Sequence, residues 1–292
     1  MSSIAECKNC SHSLNGRYCS QCGQDSHAHA RAFSHVISEV TETFLHLDST
    51  IWKTLHGLVV SPGLVAAEYL QGKRVRYTPP FRLYVVLSLV FFLVAAANDH
   101  LRLVQVGDNV SGFVTYSSKA NCDKSFTGSF AAHWINDGFA RACRQSKIDG
   151  GQQLNHLIWT SVPKTFLVLV PLFALLTRLA YWRSRMFYVE HLVFSTYFHC
   201  ALFLGAGLLI VATDLLRFIP GLSPMIQSGI FDAAVYAFLC FFALQIVFAS
   251  KRVFRAAWIH TLLASAILCA CYVVAIFYVE IAAALYSMAR TA

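Results

Sequence analysis

The chain has 292 residues, of which 57% are hydrophobic and 13% charged, and its 23 Lys and Arg against 15 Asp and Glu give a formal net charge of +8. Such apolar usage excludes an ordinary soluble domain and points to an all-α polytopic membrane protein. The positive balance would suit nucleic acid, but the cations gather in short loops beside apolar runs with few aromatics among them. Topology and anionic lipid explain them more simply, and a nucleic-acid partner is not expected.

Residues 1–30 carry Cys7-x2-Cys10 and Cys19-x2-Cys22, separated by eight residues that include Asn15-Gly16. Each Cys-x2-Cys turn can present two thiolates on one side of a tight knuckle, and two knuckles complete a tetrahedron, so a zinc ribbon with structural Zn2+ is predicted. Two disulfides are the competing reading. The first long apolar run begins only at Phe81, so no export leader is expected, and the segment should stay in the reducing cytoplasm. His12, His27 and His29 read as solvated linker residues. A closed four-thiolate site offers no open position for catalysis, so it should hold structure or dock a cytoplasmic protein partner.

Residues 31–80 read as cytoplasmic or interfacial helices. From Phe33 to Val60, apolar residues recur at intervals of three and four, the pattern of an amphipathic helix lying on the inner membrane surface or packed on the spans. His46 and His56 read as helix-face residues. Ser61 is predicted to cap a helix that begins at Pro62, and Gly72 to close it in a left-handed conformation. Lys73, Arg74 and Arg76 follow and read as contacts to anionic lipid.

The ribbon CKNC…YCSQCGQ, the run FLHLDSTIWKTLHGLVVSPG, the signature EYLQGKRVRYTPPFRLY and the later EHLVFSTYFH resemble a bacterial membrane-protein family known as domain of unknown function, family 3667. The resemblance implies an N-terminal zinc ribbon followed by several spans in a bacterial inner membrane. It implies no activity, substrate or catalytic residue.

Residues 81–292 read as a bundle of about five transmembrane helices, at Phe81 to Ala97, Pro163 to Tyr181, Leu192 to Leu216, Ile230 to Ala249 and Trp258 to Tyr286. An outside loop is expected at about 98–162, where Cys122 and Cys143 either form one disulfide or remain free thiols. Arg178, Arg183 and Arg185 in one short connection, and Lys251, Arg252 and Arg255 in another, place those loops inside; the N-terminus is then cytoplasmic and the C-terminus periplasmic. Gly205-Ala206-Gly207 offers a small-residue surface for close packing. Cys200, Cys240, Cys269 and Cys271 read as ordinary buried residues.

Two groups of ionisable residues are candidates for a polar site in the membrane. Glu190, His191, His199 and His260 could form a metal site or proton relay, although His191 and His199 stand about 12 Å apart on a straight helix. Hydrogen bonding of Glu190 and His191 to the Arg183 and Arg185 loop is the simpler expectation. Asp214, Asp232 and Glu280 would lie toward the outer helix ends, with Arg217 beside Asp214. No phosphate loop, nucleophile elbow or zinc-protease motif is present, so an enzyme is not favoured. The function classes rank as accessory or scaffold protein, then small transporter or lipid-handling protein, then intramembrane metal enzyme. Membrane lipids are expected contacts, and homo-oligomerisation stays open.

Overall fold

The computed structural model describes residues 6–26, 49–97, 104–106, 114–116, 140, 144, 148, 152–216 and 224–290. Cys122, Cys143, His27, His29, His46 and Arg217 lie outside the described residues, as does the side chain of Glu280. The chain divides into two compact units, residues 1–94 with 170–270, and residues 95–169 with 271–292.

The helices are α1 (Ser49–Val60), α2 (Leu64–Leu70), α3 (Pro80–Ala96), α4 (Gln152–Ala180), α5 (Tyr188–Leu215), α6 (Pro224–Phe254) and α7 (Trp258–Arg290). Among the described residues, four stretches are long and apolar enough to cross a membrane, Ser161–Ala180, Tyr188–Leu215, Asp232–Phe254 and Trp258–Ala275. Helix α3 is equally apolar but has 17 residues, the short end of what spans a bilayer. Large apolar side chains stay exposed along these helices, including Leu93, Leu179, Leu208, Leu239, Leu263 and Ile267. In water that surface would be a severe liability, whereas hydrocarbon solvates it. Cys240 is exposed in the same way, and Cys269 and Cys271 are half-buried, so only Cys200 of the four apolar-run cysteines fits the expected buried position.

One expected boundary moves. Helix α4 starts at Gln152 and runs through Pro163, so the polar loop expected to reach 162 ends earlier. Polar residues in the first turns of that helix hid it from a reading based on apolar content. The all-α expectation meets two three-residue strands in the second unit, β1 (Val104–Val106) and β2 (Val114–Tyr116), paired in parallel with Val104 opposite Val114. In that unit Thr165 Oγ1 also donates to the carbonyl of Ser161 one turn back in α4.

The first unit is organised around the first three turns of α5. Every residue from His191 to Ala201 is buried there, and α1, α2 and α6 all pack against this helix. Helix α1 buries Thr54, Gly57 and Leu58 on one face and leaves Trp52, Lys53 and His56 exposed on the other. Gly57 is where α2 comes closest, since a Cβ there would stand 2.8 Å from Val65 Cγ2. Farther along α5, a Cβ on Gly205 would meet the Phe238 ring of α6 at 2.9 Å, so the small-residue surface receives an aromatic ring. Phe203 gathers Tyr84, Phe91 and Phe92 of α3 around itself, with centroids 5.3–5.7 Å away.

The basic connections share one end of this unit, where Tyr181 after α4 stacks on Phe254 of α6 with centroids 4.2 Å apart. Helix α4 finishes there and α5 starts after the turn Trp182–Ser184, while α6 finishes there and α7 starts. Arg185 (φ 55°) and Arg255 (φ 52°) make the left-handed corners of these connections.

Candidate metal centre and the basic hinge beside it

The two cysteine knuckles are copies of each other. Cys7 N donates to the carbonyl of His12 at 2.9 Å and the Cys7 carbonyl accepts from Ser11 N at 2.8 Å; Cys19 with Gln24 and Gly23 repeats both distances. Ser11 (φ 61°) and Gly23 (φ 73°) hold the equivalent left-handed corner. An isolated antiparallel bridge closes each knuckle, Glu6 with Ser13 and Tyr18 with Asp25.

This symmetry brings the sulfurs together. Cys7 Sγ lies 3.6 Å from Cys22 Sγ and Cys10 Sγ lies 3.6 Å from Cys19 Sγ, and all four sulfurs fall within 4.8 Å of one another. Thiolates about 2.3 Å from a tetrahedral ion would stand about 3.8 Å apart, whereas a disulfide needs about 2.05 Å. The arrangement therefore fits a metal ion and is not the two-disulfide alternative. Burial works against ionisation of Cys19, but the N–H groups of Cys22 and Gln21 and the neighbouring thiols hold it down to about 6. Cys10 moves the other way, up to about 12: the His12 amide opposes the rise, and burial and the three other sulfurs drive it. A metal takes its cysteines as thiolates, so binding here would release protons, a step that Cys19 favours and Cys10 opposes.

Gln24 fixes the ribbon to the helices. Its Nε2 donates to the Gly72 carbonyl at 2.8 Å and its Oε1 accepts from Arg74 N at 3.2 Å, so one buried amide uses both ends on one turn. That turn is the C-terminus of α2, where Gly72 N bonds Tyr69 O and Lys73 N bonds Glu68 O, with Gly72 at φ 102°. This is a Schellman ending, and the expectation for Gly72 holds. A Cβ on Gly72 would also meet Lys8 of the ribbon at 2.9 Å.

The other end of α2 differs from its sequence expectation. The helix starts at Leu64, and Ser61 is not its cap: the Ser61 carbonyl accepts from Leu64 N while Gly63 turns left-handed at φ 72°. Packing on α6 decides this, because a Cβ on Gly63 would sit 2.6 Å from Ala249 Cα. Arg252 Nη1 donates to the Pro62 carbonyl at 2.8 Å and Gln245 Nε2 to the Leu58 carbonyl at 2.8 Å. These satisfy carbonyls left open at the α1 end.

Of the basic signature, Lys73 is held by Glu68 at 2.9 Å, and Arg76 lies 3.6 Å from the same carboxylate. Tyr77 donates to Glu68 at 2.6 Å. Desolvation opposes ionisation of Glu68, but the Tyr77 hydroxyl and the two cations outweigh it and keep the carboxyl below its ordinary range. Burial, then the bond to Glu68, pushes the Tyr77 phenol up to about 12. Arg74 lies over the Tyr69 ring at 5.8 Å. The chain then enters α3 along a buried polar path: Thr54 Oγ1 accepts from Thr78 N at 2.9 Å, and Tyr197 donates to the Thr78 carbonyl at 2.7 Å.

Residues 48–92 match the model of a family described as a protein of unknown function, DUF3667. The hinge lies within this match. The match takes in α1, the Ser61-Pro62-Gly63 turn, α2, the basic signature and most of α3, and the ribbon precedes it. No curated protein and no solved structure matches the chain.

The histidines near the DUF3667 segment do not assemble into a second centre. His191 Nδ1 lies 3.2 Å from Thr177 Oγ1 and its ring stacks on Phe254. His199 Nδ1 lies 2.8 Å from the Ser195 carbonyl, and His260 is exposed against the edge of Tyr181. Glu190 accepts from Phe187 N at 2.7 Å, as the third residue of α5 does when it closes a helix start. These bonds replace the expected pairing of Glu190 and His191 with the Arg183 and Arg185 loop. Among the described residues, the cysteine cluster is the group whose donor atoms converge on a cation position. Asp214 is half-buried near the end of α5 and Asp232 is exposed on α6. Sequence reasoning missed Gln24; its signal was its place in the knuckle repeat, two residues after the last cysteine.

Proposed function

We propose that the chain is an integral membrane protein of accessory or scaffold type, which holds a structural zinc ribbon at one membrane face for a partner protein. The observation that carries this reading is the attachment of the closed four-sulfur cluster to the DUF3667 segment through Gln24. A ribbon fixed in this way is positioned relative to the bilayer rather than tethered to it. Four cysteines make up the full set of ligands that a tetrahedral structural zinc takes.

Five crossings, counting α3, are the topology most consistent with the helix ends, and the ribbon then shares a face with the Arg183–Arg185 and Lys251–Arg255 connections. Short basic loops favour the cytoplasmic side, which puts the C-terminus across a bacterial inner membrane. The exposed edge of the ribbon, including Lys8, His12, Arg17 and Tyr18, is what a partner would meet.

A photo-crosslinking residue at Tyr18 in native membranes tests this. One discrete protein adduct, lost when Cys7, Cys10, Cys19 and Cys22 are all changed to Ser, is expected. No adduct, or one indifferent to loss of the ribbon, contradicts the scaffold reading.

A further inference from the structure

Between the ribbon and the DUF3667 segment lies a cavity of about 400 Å³, lined by Asn9, Thr50, Lys53, Val75 and Arg76. Three separate pieces of chain build it: the first knuckle, the start of α1 and the turn leading to α3. Because Gln24 fixes the knuckles to the Gly72–Arg74 turn, its walls are set by folding.

The lining chemistry is one-sided. Lys53 and Arg76 supply two cations, Thr50 a hydroxyl and Asn9 an amide, and among the described residues no carboxylate lines the cavity. Glu68 touches Arg76 from 3.6 Å, but its carboxylate is already committed to Tyr77 and Lys73. Asn9 Oδ1 is buried with no hydrogen-bond partner among the described residues. A buried amide oxygen left in this way calls for a ligand hydroxyl, or for the amide turned over so that its NH2 donates to an anion. The cavity stands where the chain is about to enter α3 at Pro80, and Trp52, next to Lys53 in α1, is 76% exposed. An exposed Trp next to a Lys is a common membrane-interface pairing, at headgroup depth.

We propose that this cavity binds one phosphoryl group between Lys53 and Arg76, carried by an anionic phospholipid headgroup or by a free phosphorylated solute. Arg76 reads the anion with its planar fork, Lys53 as a mobile point charge, and Thr50 and Asn9 supply neutral hydrogen bonds. The site thus narrows the sequence expectation for Lys73, Arg74 and Arg76 to one of those three residues and adds Lys53. It stands independently of whether the ribbon docks a partner.

Full-length protein tests it in two arms. Equilibrium dialysis in neutral detergent measures binding of inorganic phosphate, and native mass spectrometry from nanodiscs measures retention of phosphatidylglycerol over phosphatidylcholine. Binding in either arm should fall at least about tenfold in Lys53→Gln/Arg76→Gln, since each charge-assisted bond is worth about 1.5–3 kcal/mol. Lys73→Gln, which removes a cation outside the cavity, should stay within about twofold of wild type on the same reasoning. Thr50→Asp puts a carboxylate into the cavity in the first turn of α1, where acidic residues favour the helix, and should abolish binding with metal content unchanged. Phosphate binding alone identifies a soluble ligand, and phosphatidylglycerol retained against excess phosphate identifies a lipid; both support the site. Wild-type protein that binds neither, or unchanged binding in both the double variant and Thr50→Asp, overturns it.

Discussion

Gly63 and Ala249 are in backbone contact: a Cβ on Gly63 would lie 2.6 Å from Ala249 Cα and 2.8 Å from the Ala249 carbonyl oxygen. The turn between α1 and α2 is seated on α6 at this point, and Arg252 secures it from the side. Gly63→Ala should therefore destabilise the protein twice over. The left-handed backbone alone costs about 1–2 kcal/mol for a non-glycine residue, and the contact forces α6 or the turn to shift. Thermal melting by fluorescence-detected size exclusion in detergent should show a clear loss of stability. Gly16→Ala, with nothing within 4 Å of its Cβ position, should melt like wild type.

Gln24→Ala removes both hydrogen bonds that join the ribbon to the Gly72–Arg74 turn, an expected loss of about 1–3 kcal/mol in docking. The sulfur cluster does not use this side chain. Hydrogen exchange should thus rise in the Gly72–Arg74 amides and the second knuckle while metal content holds. Unchanged protection would mean that the ribbon is held by other contacts.

The carboxylate of Glu68 makes hinge stability dependent on acid. Its folded-state pKa lies below the unfolded value near 4.3, so its contribution is present above that value and lost as pH falls through the folded one. Tyr77, pushed up to about 12, contributes below the unfolded value near 10, and that contribution is lost as pH rises toward 12. Melting curves for Glu68→Gln should be less stable at neutral pH and flatter on the acid side. An acid limb identical to wild type would assign that sensitivity to other carboxylates.

Much of this architecture was legible in residue order. The Cys-x2-Cys spacing announced the convergence of four sulfurs, Gly72 after Leu70-Gln71 marked the end of α2, and unbroken apolar runs marked the long helices. What could not be read came from tertiary contact. Ser61 and Pro62 looked like a helix start, yet the seat on Ala249 moves that start to Leu64. Gln152 to Ser161 looked like loop because Leu154, Leu157 and Ile158 are set among Gln, Asn, His, Thr and Ser, too short an apolar pattern to stand out from the polar stretch before it. Glu190 and His191 looked like a pair with the arginines beside them, but Glu190 accepts from Phe187 N and His191 meets Thr177 of α4. Lys53 sits on the exposed face of α1, and only the folded chain brings it to the same cavity as Arg76.

The most direct test is a metal count on detergent-purified protein beside the variant with Cys7, Cys10, Cys19 and Cys22 changed to Ser. One zinc per chain in the wild type and none in the variant is the predicted result, with a strong chelator removing the same single equivalent. A metal that survives the variant, or wild-type protein that folds with none, would contradict a structural zinc ribbon as the feature this membrane protein presents.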